Sequence, residues 1–172
     1  MHRIGKSQND GQTRPAITYL GFRTEARVRM SDKELVHREL AGQIIGAFYD
    51  VHRELGAGFL ESVYQRAMVI ALAHRGVRSR TEVPVRVRFR GAVVGTYRID
   101  LLVDDAVIVE CKTADRIVAA HKVQLLNYLQ ATHYRLGIVL CFGPAPTFQR
   151  IVHDRARSSA ESADVEARAD GN

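Results

Sequence analysis

The chain has 172 residues, 46% hydrophobic and 26% charged, a balance that suits one soluble domain with its own hydrophobic core. No apolar run approaches the roughly 20 residues of a membrane-spanning helix, and the first residues lack the apolar block of a signal peptide. The expectation is therefore a cytoplasmic protein with no membrane partner. The net charge of +6 is unevenly spread, with seven arginines against a single acid, Glu82, between Arg75 and Arg98. Such a stripe attracts polyanions through counterion release; an ordinary solvated face is the alternative.

Residues 1–30 are polar and broken by Gly5, Gly11, Pro15 and Gly21, which predicts a flexible segment whose only apolar patch is Ile17 to Phe22. Met30 stands just before a strong helix start and is an alternative first residue. An ordered domain is expected over residues 31–154. Ser31 and Glu34 have the form of a capping box, and Val36, Leu40, Ile44, Phe48, Val51 and Leu55 recur at helical spacing up to Gly56. Gly58 opens a second predicted helix, with Leu60, Val63, Tyr64, Ala67, Met68, Ala71 and Leu72 on its apolar side and Gly76 at its end. Val83 to Phe89 then reads as a half-buried strand: Val85, Val87 and Phe89 point one way, Arg86, Arg88 and Arg90 the other. Gly91 marks a turn into a strand that includes Tyr97 to Val103, and Asp104-Asp105-Ala106 turns the chain into a third strand, Val107 to Cys111. A helix follows from about Asp115 to Ala131, then a buried strand from Leu136 to Phe142, a break at Gly143-Pro144, and an edge strand from Phe148 to Val152. Residues 155–172 carry almost no large apolar side chains and are expected to form a disordered tail. This order predicts an α/β (α+β) domain, a central mixed β-sheet flanked by α-helices.

Three charged residues, Asp100, Glu110 and Lys112, interrupt otherwise apolar strands, and charge inside such strands needs compensation. Alternation puts Glu110 and Lys112 on one face and Cys111 on the other. If the hairpin closes through a three-residue turn, Asp100 falls opposite Glu110, a few Å away. Two carboxylates that close repel, or one pKa rises, unless a cation lies between them; a hard divalent ion, Mg²⁺ or Mn²⁺, suits such oxygen ligands. Lys112 beside them is placed to orient an attacking water and stabilise charge growing on a phosphorane-like transition state. The alternative is a simple ion pair of Asp100 with Lys112 or Arg98 at a sheet edge. Cys111 and Cys141 lie in apolar runs and read as buried free thiols; no CxxC pair or HExxH motif occurs. His52 and His121 are candidate phosphate contacts, although a lone histidine is more often structural.

Asp100 followed ten residues later by Glu110-x-Lys112 resembles the D…(D/E)xK signature of the PD-(D/E)xK nuclease superfamily, with Ile99 where the leading proline stands. Gln124 and Tyr128 form a QxxxY pattern similar to the accessory motif of its exonuclease-like branch. Ile117, His121, Gln124 and Tyr128 would share one helix face. Gly58-Phe59-Leu60-Glu61-Ser62-Val63-Tyr64 reads as GxxExxY, preceded by Val51-His52-Arg53-Glu54-Leu55-Gly56. Together these resemble the GxxExxY family of small prokaryotic proteins, a branch of that superfamily, over about residues 35–153.

The resemblance implies a restriction-endonuclease-like core and a Mg²⁺- or Mn²⁺-dependent phosphodiesterase acting on nucleic acid, DNA in particular. It implies metal ligation by Asp100 and Glu110, with Glu61 completing the shell directly or through water. Lys112 would position the water, Gln124 would support Lys112 or the substrate, and Arg86, Arg88, Arg90 and Tyr128 would contact the nucleic acid. Tyr64 is expected to pack and tether through its hydroxyl. Two rivals remain at this stage: a non-catalytic module that uses the same pocket to bind nucleic acid or protein, and an enzyme for a small phosphate-bearing substrate.

Overall fold

A computed structural model of the chain describes residues 37–153. The expectations for residues 1–30, Met30, the Ser31–Glu34 cap and residues 155–172 lie outside the described residues. Helix α1 (Arg38–Leu55) ends where Gly56, with φ of 71°, returns its N–H to the His52 carbonyl. Helix α2 (Glu61–Ala73) starts three residues later than Gly58, because Gly58 holds φ of 106° and Leu60 is still extended. Strands β1 (Ser79–Phe89) and β2 (Ala92–Val103) form a hairpin closed by Arg90-Gly91, both with positive φ as a tight two-residue loop demands. The chain continues through β3 (Val107–Lys112), α3 (Ala119–Ala131), β4 (Leu136–Cys141) and β5 (Thr147–Val152).

The five strands lie in sequence order, β1 to β5, and only β3 and β4 run parallel. That pair forms the centre of the mixed sheet and is buried along nearly its whole length, which explains why β4 is a continuous apolar run and why β3 is one as far as Val109. One face packs against α1 and α2: Leu101, Val103, Val107, Val109 and Cys111 meet Ile44, Phe48, Tyr64, Met68 and Leu72. Phe142 joins this core, stacked on Tyr64 with ring centroids 4.3 Å apart. The other face packs against α3, with Leu102, Ile108 and Val139 meeting Leu125 and Leu129. The predicted α/β architecture with a central mixed sheet is therefore the one observed.

Two expectations need correction. Helix α3 begins at Ala119, not near Asp115, so Ile117 is not on it. The cause is a tether: Cys141 Sγ donates to the Ala114 carbonyl at 2.9 Å, holding the loop after β3 against the end of β4. The apolar face of β1 is also covered only in part. Val83 and Val85 are buried under α3, whereas Phe89 is 62% exposed, because the β1–β2 hairpin runs on beyond the body of the domain.

Gly143 stands where no larger residue fits, since an added Cβ would collide with the Ala114 backbone oxygen. Backbone cannot swing aside as a side-chain tip can. Gly143→Ala is expected to cost about 1–3 kcal/mol of stability, read as a lower urea midpoint with unchanged slope.

Candidate active site

The β2–β3 hairpin has the three-residue turn anticipated from Asp104-Asp105-Ala106, and its ladder runs Val103↔Val107, Leu102↔Ile108, Leu101↔Val109. The next step would pair Asp100 with Glu110, but the ladder stops there. Asp100 Oδ2 instead accepts the Cys111 N–H at 2.8 Å, so a side chain takes the place of a backbone carbonyl. The pairing of β2 with β1 is interrupted at the same level: Thr81↔Leu101 and Val83↔Ile99 pair, while Glu82, with φ of 54°, does not pair with Asp100. A non-glycine residue in the left-handed region is strained, and here it marks a bend. Across it the alternation resets, for Leu101 packs toward α1 and α2 whereas Ile99 packs toward α3.

Around Asp100 the remaining groups gather from three elements. Glu110 is 1% exposed and Asp100 is 9% exposed. Lys112 Nζ donates to Glu110 Oε1 at 2.8 Å and lies 3.8 Å from Glu61 Oε1, at the start of α2. Gln65, one turn further along α2, comes near enough to the Asp100 carboxylate to favour its charged form. From α3, Gln124 Nε2 donates to the Tyr128 hydroxyl at 2.8 Å. The Tyr128 ring lies 5.8 Å from that of Tyr97 on β2.

Burial dominates the electrostatics. It raises the Glu110 carboxyl to about 7, helped by the Asp100 charge and only partly offset by Lys112. Burial also raises Asp100, against the Cys111 N–H, Lys112 and Gln65, which favour the carboxylate. Glu61 is raised by burial as well, with Lys112 opposing. Burial pulls Lys112 down, but its hydrogen bond to Glu110 and the surrounding acids outweigh that, and its pKa ends above the ordinary value. Glu110 Oε2 remains buried with no hydrogen-bond partner. Such an atom costs free energy unless something electropositive reaches it.

The structure thus brings Glu61, Asp100, Glu110 and Lys112 into one cluster and sets Gln124 and Tyr128 beside it. Arg86, Arg88 and Arg90 lie on the β1–β2 hairpin instead. The register pairs Val85 with Tyr97 and Arg86 with Thr96, so Arg86 faces away from Tyr97 and α3. Arg88 donates to the Gly91 carbonyl at 3.1 Å, and Arg90 lies over the Phe89 ring, 5.2 Å from its centroid. His52 donates to the Gly143 carbonyl at 2.8 Å, a contact between α1 and the end of β4. His121 Nδ1 accepts the Val118 N–H at the start of α3. Tyr64 packs and tethers, its hydroxyl donating to the Gly56 carbonyl at 2.8 Å. Both cysteines are buried and free. Two residues escaped the sequence reading. Gln65 stands four after Glu61, a spacing that puts both on one helix face, and Tyr97 stands three before Asp100 in an alternating strand.

A mixed sheet with two buried carboxylates and an ammonium at the ends of its middle strands, overhung by helices on both sides, is a restriction-endonuclease-like α/β domain. The chain belongs to the PD-(D/E)XK nuclease superfamily, whose family model matches residues 38–151. Members of that superfamily generally use divalent metal ions. No curated protein matches the chain. Among solved structures, the crystal structure of SSO0001 matches at a TM-score of 0.44 and 20% identity. The match covers 70% of this chain and 61% of that one, so the chain spans less than two thirds of the length of that protein.

The Glu110 shift fixes a pH dependence. Its carboxyl titrates at about 7 when folded against 4.5 unfolded, so between those values the unfolded chain releases a proton that the folded chain keeps. Stability should be highest below about pH 4.5 as far as this group is concerned, and should fall as pH rises through about 7, by on the order of 3 kcal/mol. Urea unfolding across this range in chelator checks it, and Glu110→Gln is expected to flatten the slope.

Proposed function

We propose that the protein is a divalent-metal-dependent phosphodiesterase that cleaves nucleic acid, DNA foremost. The observation that carries this reading is the buried, unpartnered Glu110 Oε2 beside Asp100, with Lys112 already held against the same carboxylate. Asp100 and Glu110 would hold Mg²⁺ or Mn²⁺, with Glu61 reaching it directly or through water. Among the described residues no group of three or more His, Cys, Asp or Glu side chains is placed to hold a metal ion. Two carboxylates still fit Mg²⁺, which keeps several waters and shares its shell with substrate phosphates. When bound, such an ion polarises the scissile phosphate and acidifies water.

The side chains supply the rest. Lys112 holds the attacking water and stabilises the charge that grows on the equatorial phosphoryl oxygens. Gln124 donates to the Tyr128 oxygen, which leaves the Tyr128 O–H as a donor for a phosphate. Gln65 keeps Asp100 oriented. Arg86, Arg88 and Arg90 would contact phosphates along the hairpin. The GxxExxY motif around Glu61 supports placement in the branch of that name, with a prokaryotic cytoplasm as its setting.

Calorimetry with Mg²⁺ or Mn²⁺, run beside a cleavage panel of linear, nicked, branched and single-stranded DNA, tests the reading. Wild type should bind metal and cleave; Glu110→Ala and Asp100→Ala should lose both. Lys112→Ala should keep fold and metal and lose cleavage by about 100-fold or more. Binding of DNA without metal uptake or hydrolysis would instead establish a non-catalytic module. Replacing Arg86, Arg88 and Arg90 by alanine together should flatten the dependence of binding on salt, and an unaltered slope would remove them from the contact surface.

A further inference from the structure

The β1–β2 hairpin carries more exposed apolar surface than a solvated arm needs. Tyr97 is 49% exposed, Phe89 62%, and Val93 and Val94 are exposed at its tip. A bulge between Val87 and Arg88 shifts the register there. Before it, Val85↔Tyr97 and Val87↔Gly95 are cross-strand pairs, so Val85, Val87 and Tyr97 share a face; alternation along β1 adds Phe89 to it. This is the α3 face, because Val85 is buried with Leu125 and Tyr128 and the Tyr97 ring contacts Tyr128. The opposite face carries Arg86 and Arg98. Aromatic carbon on one side and guanidinium on the other divide the arm.

The aromatic face leads toward the acids. Tyr97 precedes Asp100 by three strand residues, about 10 Å along the chain. Its neighbour Tyr128 lies close enough to Glu110, Asp100 and Lys112 to feel their charges. A half-exposed tyrosine ring offers a π-face that any base can stack on, and Arg90 over Phe89 adds a second, cationic platform toward the tip. Paired bases inside a duplex cannot present their faces to such rings; unpaired bases can.

We infer that the α3 face of this hairpin, centred on Tyr97, is a base-stacking platform for an unpaired DNA strand that leads into the acidic cluster. Arg90, over the Phe89 ring, brings positive charge to it. The inference rests on the nucleic-acid reading above and narrows it to substrates with single-stranded segments.

The test measures, by fluorescence anisotropy in Ca²⁺, binding of a fluorescein-labelled DNA single strand and of the blunt duplex of the same sequence. Wild type should prefer the single strand. Tyr97→Ala should weaken single-strand binding about tenfold without altering the salt slope, and Tyr97→Phe should restore it. Should the alanine variant fold poorly, photocrosslinking of wild type to a 5-iodouracil-substituted strand decides, with the crosslink expected on the peptide that contains Tyr97. Equal affinity for strand and duplex, or crosslinks confined to other peptides, overturns the inference even if the protein cleaves DNA. Tyr97-dependent strand binding without any hydrolysis sustains it and removes the enzyme reading instead. Sedimentation that shows a dimer dissolved by Tyr97→Ala would assign the face to a second copy of the chain and also overturn it.

Discussion

The site is organised by an imbalance of charge in a dry place. Glu110 lies in the middle of the sheet, and one of its oxygens accepts from Lys112 while the other accepts nothing. Asp100 supplies a second carboxylate on the adjoining strand; the Cys111 N–H gives it a hydrogen bond, and the Lys112 ammonium and Gln65 also favour its charge. One ammonium cannot neutralise both acids, and Glu61 at the mouth adds a third. A fold that only needed stability would favour apolar residues here, since a partly satisfied buried polar cluster costs more than it returns. The cluster makes physical sense under the proposed reading, in which a divalent cation would bind beside the two acids.

The backbone around the cluster is shaped by the same residues. Where Asp100 turns its carboxylate to the Cys111 N–H, the β2–β3 ladder ends, and opposite it Glu82 adopts a left-handed conformation that breaks the β1–β2 ladder. The bend passes the chain from one packing regime to another. Below it, the strands are sandwiched between α1–α2 and α3. Above it, the hairpin has only the α3 side for cover, and α3 reaches only as far as Val83 and Val85. A strained residue next to the acids thus also fixes the direction in which the exposed arm leaves the domain.

Much of this was legible in the residues. The turn chemistry of Asp104-Asp105-Ala106 sets the hairpin register, and the register places position 100 next to position 110. Gly56 fixes the end of α1 through its backbone freedom, and the apolar run of β4, with Val107 to Val109 of β3 beside it, announces a doubly covered centre. The rest depended on contacts distant in sequence. The late start of α3 follows from Cys141 gripping Ala114, which lies 27 residues before it. Alternation correctly separates Val85 and Val87 from Arg86, yet it cannot say how far the covering helix extends, and so Phe89, on the same side as Val85, is 62% exposed. Gln65 was invisible because a glutamine at helical spacing carries no charge signal.

The arginines of β1 illustrate how one feature can answer two demands. The strand is an edge of the sheet, and its outward guanidinium groups discourage pairing with another chain whatever else they do. Edge protection needs charge but not aromatic carbon; four large apolar side chains left exposed on the same arm work against it, because they invite association. The two tendencies are reconciled if the arm meets a partner that is itself anionic and flat-faced. A polynucleotide has both properties, and the acids that would act on it lie at the root of the same strand.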